Sequence, residues 1–423
     1  MTRVHYDFKP CGPYATIKSH SVAKHDVLRS YLSAYFQTLA PSHKQEELKV
    51  TLVDGFAGGG VYEHADTKEI VFGSPFVFLQ AAKEAEALIN CKRQKPLRMN
   101  IDYFFIEKKR DAFKLLSETL KTNGYSDRLN EDIKLIHGDF EQQVTTLVDF
   151  ISKKNPRKGR SIFFLDQYGY KDVPANLVRT ILNRFPSAEV ILTFAVDSFI
   201  NYATDSPLTL SSLDKVGIPE ALKGRTIEDI KSNERDFRLY IQSCLHESLV
   251  KACGARYYTT FFIRTGGHGD YWLVHLSQHH RARDVMTRIH WMHNNNFIHY
   301  GGPGLDMFHT LGYDPNLDSS LLNQFELDFC FDDPAHKNSV KMLKEQIPHH
   351  VYASDTGISF GELFATTCNN SPADSQRYKD AIASLINIKE IEVYSPDGSQ
   401  RRKATTIKDT DLLIPSKQIT MSF

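Results

Sequence analysis

Thr51-Leu-Val-Asp54-Gly55-Phe56-Ala57-Gly58-Gly59-Gly60 is the stretch that decides how the chain is read. A short apolar run, Lys49–Val53, reads as a strand, ends in a carboxylate at Asp54, and passes straight into glycines. Glycine permits positive φ and lets a ligand approach the backbone closely. Such a turn between a strand and a helix is how doubly wound α/β sheets hold nucleotide-like cofactors.

Working outward, three later segments read as strands that end in an acid and open on the same crevice. Asn100–Ile106 ends at Glu107, where a carboxylate can accept both ribose hydroxyls. The usual spacing from the glycines is about 20 residues; the inserted segment Val61–Gly73 accounts for the longer reach. Ile133–Gly138 ends at Asp139, placed to take the exocyclic amine of an adenine. Arg160–Leu165 contains the continuous apolar run Ile162–Leu165, as in a strand buried on both faces, and ends at Asp166. A carboxylate there needs a partner. Asp166 and the backbone carbonyl of Gln167 could accept hydrogen bonds from a substrate amine, and Tyr168 and Tyr170 offer faces for stacking a flat ring or pack as core-edge residues. Glu189–Ala195 is a fifth strand, after which Asp197, Ser198, Asn201 and Tyr202 could line the crevice.

Upstream, residues 1–20 read as irregular, and Ser21–Leu39 as a helix with Ser21 as N-cap. Lys24-His25 in its first turn are either solvated or directed at a ligand. Polar Val61–Gly73 reads as a loop over the crevice, and Ser74-Pro75 opens a helix to about Asn90. Asp205–Ala252 reads as a partly helical insertion. Arg256–Arg264 and Tyr271–Leu276 form a hairpin, followed by a helix through Ala282–Met292.

The chain has 423 residues, balanced charge and 41% hydrophobic residues, so two or three soluble domains are expected and no global basic field. Its six cysteines have no CxxC spacing, which disfavours a zinc site or disulfide framework and fits a reducing cytoplasm. No signal-peptide pattern or membrane-length apolar run is seen. Histidines at 279, 280, 290, 293, 299 and 309 lack recognisable metal-ligand spacing, and no nuclease metal pattern stands out. Phe297–Pro315 reads as a linker or loop. Beyond it, helices at Ser339–Gln346, Ser359–Thr367 and Asp374–Ile386 precede a hairpin of Ile391–Tyr394 and Gln400–Ile407. This is a winged-helix pattern. Arg377, Lys379, Lys389, Arg401, Arg402 and Lys403 would put positive charge on its last helix and wing, for nucleic acid, although such modules also dock proteins.

These features together resemble class I S-adenosylmethionine-dependent methyltransferases: a Rossmann-like, mostly parallel α/β sheet with an antiparallel terminal hairpin. More narrowly, the chain resembles the three-Cys-motif partner protein family through Lys24-His25-Asp-Val-Leu28, Asp54-Gly-Phe-Ala-Gly-Gly-Gly60, Gly73-Ser-Pro75, Phe105-Ile-Glu107 and Phe164-Leu-Asp-Gln-Tyr-Gly169. The resemblance implies a methyltransferase-like domain over 1–320, with the insertion at about 205–252, and a winged helix-turn-helix over 335–423. It implies S-adenosylmethionine held by Asp54, Gly55, Phe56, Gly58 and Gly60 at its methionine end, Glu107 at the ribose and Asp139 at the adenine. Asp166, Gln167, Tyr168 and Gly169 would form the catalytic loop. In amino-methylating relatives that loop reads Asp/Asn-Pro-Pro-Tyr or Asp-Pro-Phe-Gly. This chain carries Gln167 at the proline and so lacks its fixed φ. The expected activity is methylation of a nucleic-acid base amine, with RNA favoured, beside a radical-SAM-like three-Cys-motif partner. The alternative is a catalytically idle subunit of this fold that binds a partner protein or nucleic acid, as in a defence system.

Overall fold

The computed structural model describes residues 13–167, 171–194, 199, 204–233, 237–263, 271–293, 297–299, 302–305 and 329–416. The chain divides into two compact units, Met1–Ile289 and His290–Phe423.

The first unit runs β1 (Thr16–Ile17), α1 (Ser19–Leu39), β2 (Glu47–Asp54), β3 (Val61–His64), β4 (Ile70–Phe72), α2 (Ser74–Asn90), β5 (Arg98–Glu107), α3 (Arg110–Leu120), β6 (Ile133–His137), α4 (Phe140–Lys154), β7 (Ser161–Leu165), α5 (Ala175–Arg184) and β8 (Ala188–Phe194). There follow α6 (Pro207–Val216), α7 (Ile227–Asn233), α8 (Phe237–Cys253), β9 (Tyr257–Ile263), β10 (Tyr271–Ser277) and α9 (His280–Met292). Strands order as β9-β10-β8-β7-β2-β5-β6. From β6 to β8 all pairings are parallel, whereas β10 lies antiparallel to both β8 and β9. This is the Rossmann-like class I methyltransferase fold. Every residue of β7 and β8 is buried, as expected for central strands covered on both faces.

Two local expectations fail. The segment Val61–Gly73 is not a loop but the β3–β4 hairpin, and β3 also pairs in parallel with β1 to make a three-stranded sheet. Its polar composition hides three apolar anchors. Val61, Tyr62 and Val71 pack with Ala15, Ile17, Ala112 and Leu115. Because β1 feeds directly into α1, the helix starts at Ser19 with Lys18 at the cap position. Ser21 is therefore a buried first-turn residue rather than the N-cap.

The second unit contains β11 (Phe297–His299) paired antiparallel with β12 (Phe329–Cys330), then α10 (Asp333–Tyr352), β13 (Ile358–Ser359), α11 (Phe360–Thr367), α12 (Ser375–Asn387), β14 (Ile391–Tyr394), β15 (Gln400–Arg401) and β16 (Leu412–Pro415). The helices start where short polar side chains cap them. Asp332 accepts from Ala335 N, Ser359 from Glu362 N and Asp374 from Arg377 N, at 2.9, 3.1 and 3.0 Å. A four-stranded sheet, β13-β16-β14-β15, completes a winged helix.

The expected strand Gln400–Ile407 shrinks to Gln400–Arg401. Buried Asp411 bends the chain beyond it by accepting from Arg401 Nε at 3.1 Å and Lys408 N at 2.9 Å. Two expected nucleic-acid contacts are thereby internal. Arg401 serves Asp411, while Arg377 pairs with Asp374 at 3.0 Å and lies 3.4 Å from the Trp291 ring centroid. Lys389, Arg402 and Lys403 remain exposed. Among the described residues no helix is long and apolar enough to cross a membrane.

Candidate active site

Strand register brings the acids together. Asp54 is level with Phe105 of β5 and Phe164 of β7, while Glu107 is level with His137 of β6. Glu107 and Asp166 thus stand two residues beyond Asp54, roughly 7 Å along the strand direction, on strands that flank β2 at about 4.8 Å spacing. Backbone bonds stitch this edge: Gly55 N to Phe164 O at 3.0 Å, Ala57 N to Ile106 O at 2.9 Å and Gly138 N to Glu107 O at 3.1 Å. It is also where strand order reverses about β2, the position at which doubly wound sheets open a crevice.

The glycine turn is shaped from both sides. Gly58 and Gly60 have φ of +61° and +74°. Gly58 N donates to Glu107 Oε2 at 2.8 Å, and Lys109 N donates to Oε1 at 2.6 Å, so this acid fixes the turn. The freedom expected to admit a ligand is used differently at two glycines. A Cβ on Gly55 would meet Leu165 Cδ2 at 2.7 Å, and one on Gly60 would meet Leu116 Cδ1 at 2.6 Å. Those positions make room for the protein's own core.

Asp54 is 0% exposed. Its Oδ1 accepts from Phe56 N at 3.1 Å, and its Oδ2 has no hydrogen-bond partner among the described residues. Burial, reinforced by Asp166 and Glu107, pushes its carboxyl up to about 7 against hydrogen bonds that oppose the shift. Burial likewise raises Glu107, which is 9% exposed. Asp139, at the cap position of α4, pairs with Lys108 Nζ at 2.7 Å and is the most open of the acids, its side chain 39% exposed.

Asp166 has a partner that spacing alone did not assign. Lys24 Nζ donates to both carboxylate oxygens, at 2.5 and 2.6 Å, with side-chain exposures of 8% for Lys24 and 22% for Asp166. Burial works to raise the Asp166 pKa, but Lys24 outweighs it and holds the carboxyl below its ordinary range. His25 is buried beside the pair. Its Nδ1 has no hydrogen-bond partner among the described residues, and burial lowers its pKa to about 4. The solvated alternative for Lys24-His25 is thus excluded.

A helical face explains why. Lys24, Leu28, Tyr31, Leu32 and Tyr35 recur at i, i+4, i+7 spacing and all are buried. Farther along it, the Tyr31 hydroxyl donates to Glu189 Oε2, which also bonds His275 Nε2 at 2.8 Å. This buried cluster ties α1 to β8 and β10. A lysine in register with that apolar stripe was the overlooked signal; Glu189 and His275 left none.

Gln167 is 3% exposed and its side chain faces inward. Nε2 donates to Thr193 O at 3.1 Å, while Oε1 accepts from Asp172 N at 2.9 Å and Val173 N at 3.1 Å. Where relatives have a proline's fixed φ, hydrogen bonding thus ties Gln167 to β8 and to Asp172 and Val173. Tyr168, Gly169 and Tyr170 lie outside the described residues, as do Asp197, Ser198, Asn201 and Tyr202.

Comparison with known proteins gives one family match, to the GMT-like wHTH domain over residues 312–398. No curated protein matches. Among solved structures, protein LPL1258 from Legionella pneumophila is 11% identical over 61% of this chain and 85% of its own, with TM-score 0.36. The putative methyltransferase yhhF from Escherichia coli gives 11%, 59%, 86% and 0.24. An rRNA methylase from Streptococcus thermophilus gives 9%, 60%, 95% and 0.28. TM-scores this low carry no inference, and the fold class stands on the strand order above. The strand order is that of a methyltransferase-like fold, and the GMT-like winged-helix match lies in the second unit.

Proposed function

We propose that the chain is an S-adenosylmethionine-dependent methyltransferase acting on an amine of a nucleic-acid base, RNA favoured, together with a radical-SAM-like three-Cys-motif protein. The observation that carries this reading is the gathering of Asp54, Glu107 and Asp166 at the strand ends around one glycine turn, with Asp139 beyond Glu107. The donor set suits the cofactor. Asp54 has a buried oxygen left over, Glu107 stands at the second strand end, and Asp139 is open enough to meet an adenine. When bound, this cofactor supplies an already electrophilic methyl group.

The protein's task is then to hold the acceptor in line and exclude water. Asp166 would orient the amine. A carboxylate has about four lone-pair sites, and Lys24 uses two, so two remain for N–H donors. Gln167 would keep the loop in shape and its backbone carbonyl available; Tyr168 would stack on the base. A base in a duplex must first leave its stack. Exposed Lys389, Arg402 and Lys403 on the winged helix support nucleic acid as the substrate class.

Titration with S-adenosylmethionine should give saturable heat. Asp166→Ala should abolish transfer to RNA while leaving that binding within about twofold. Undiminished transfer by this variant rejects the assignment. A second reading, an idle subunit that binds the partner, is favoured by the way Lys24 caps both oxygens of Asp166. Absence of any S-adenosylmethionine binding by the intact protein would select it.

A further inference from the structure

We propose that Lys24 is a positioning residue: its ammonium keeps Asp166 an anion and anchors its carboxylate in the acceptor subsite. This rests on the reading of Asp166 as the group that meets the acceptor.

Three carboxyl groups, Asp54, Glu107 and Asp166, crowd one buried sheet edge. Like charges at such a place oppose one another's ionisation, and burial adds to the penalty. The charged and titratable groups that act on Asp166 from each packed element are Lys24 and His25 on α1 and Asp54 at the end of β2, with Glu107 acting in turn on Asp54. His25 is neutral near pH 7 because burial depresses it. Among the described residues, Lys24 therefore supplies the positive charge.

The geometry does more than neutralise. Contacts to both oxygens, at 2.5 and 2.6 Å, hold the carboxylate head against the ammonium. The lone pairs turned away from Lys24 stay open to an amine. Lys24 is held in turn by its helix, whose Tyr31, seven residues on and roughly 10 Å along the axis, is locked to Glu189. An acceptor amine thus meets an anchored anion rather than a neutral acid free to donate a proton.

The test is a comparison of the full-length parent with Lys24→Met, Asp166→Asn and the double variant, by thermal midpoint from pH 5 to 8, without donor or acceptor. Each single variant leaves one buried charge without its partner and should lower the midpoint at pH 7.5. Adding Asp166→Asn to Lys24→Met should raise it again. The deficit of Lys24→Met should shrink as pH falls, because its unpaired carboxyl then protonates. If Lys24→Met alone does not fold, recovery of folding in the double variant decides in favour. A double variant no more stable than Lys24→Met, or a deficit independent of pH, overturns the proposal.

As a catalytic readout, the acid limb of kcat/KM for RNA methylation should move up by at least one pH unit in Lys24→Met; an unmoved limb also overturns it. The two readings separate cleanly. Rescue without S-adenosylmethionine binding leaves the counter-ion role standing and removes the enzyme, whereas binding and transfer without rescue do the reverse.

Discussion

Replacing Gln167 by alanine should destabilise the first unit by about 2–4 kcal/mol, although nothing in the side chain's charge or size suggests it. The reason lies in three hydrogen bonds made by one buried amide, to Thr193 O and from Asp172 N and Val173 N. Asp172 is exposed and can regain water. Val173 is 2% exposed and Thr193 1%, so a buried N–H and a buried carbonyl lose a partner. Each such loss costs about 1–3 kcal/mol, with the carbonyl at the low end because its second lone pair survives. Urea unfolding followed by Trp272 fluorescence measures the change. Trp272 stacks on Phe194 next to Thr193, and the chain has only 2 tryptophans, so a Trp291→Phe background isolates the signal. Gln167→Glu sharpens the test. It keeps the acceptor oxygens but sets a carboxylate against the Thr193 carbonyl, so its folded pKa must rise and its stability must improve as pH falls. A stability for Gln167→Ala within about 0.5 kcal/mol of the parent would refute the view that this amide shapes the loop.

Four further outcomes are expected. Gly60→Ala should cost about 2–5 kcal/mol in chemical denaturation, from a positive φ and a Cβ 2.6 Å from Leu116 Cδ1; Leu116→Ala in the same chain should recover part of that cost. His25 titrates in the unfolded chain near 6.5 but in the fold near 4. Between those values the unfolded state binds more protons, so its contribution to stability is complete above about pH 6.5 and declines as pH drops to 4; His25→Gln should flatten this slope in a thermal-midpoint series. In the winged helix, Arg402→Ala and Lys403→Ala should weaken RNA binding and lower the salt slope by about one each if they meet phosphates, leaving stability unchanged. Arg401→Ala should instead lower stability, since it strands the fully buried Asp411.

Alternation and run length made the large sheet legible. Apolar runs such as Ile162–Leu165 fit strands covered on both faces, and those before Asp54, Glu107 and Asp166 each end in an acid. Helix caps at Ser359 and Asp374 carried equally direct local signals. What stayed hidden depends on partners distant in sequence. The β3–β4 hairpin has strands of 4 and 3 residues, and β1 has only 2, too short for any period to emerge. Pairing of Lys24 with Asp166 spans 142 residues, and Tyr31 with Glu189 spans 158. Such contacts are set by how α1 lies on the sheet, which no local pattern encodes. The six basic residues of the winged helix looked equivalent because sequence cannot say which arginines answer a buried acid. Arg377 and Arg401 do.

Isothermal titration of the intact protein with S-adenosylmethionine, alongside Glu107→Ala, tests the central claim most directly. Saturable binding by the parent, weakened by tenfold or more in a variant that remains folded, is the outcome this site predicts. An absence of heat with the parent, or equal affinity in both proteins, would contradict a cofactor seat at these strand ends.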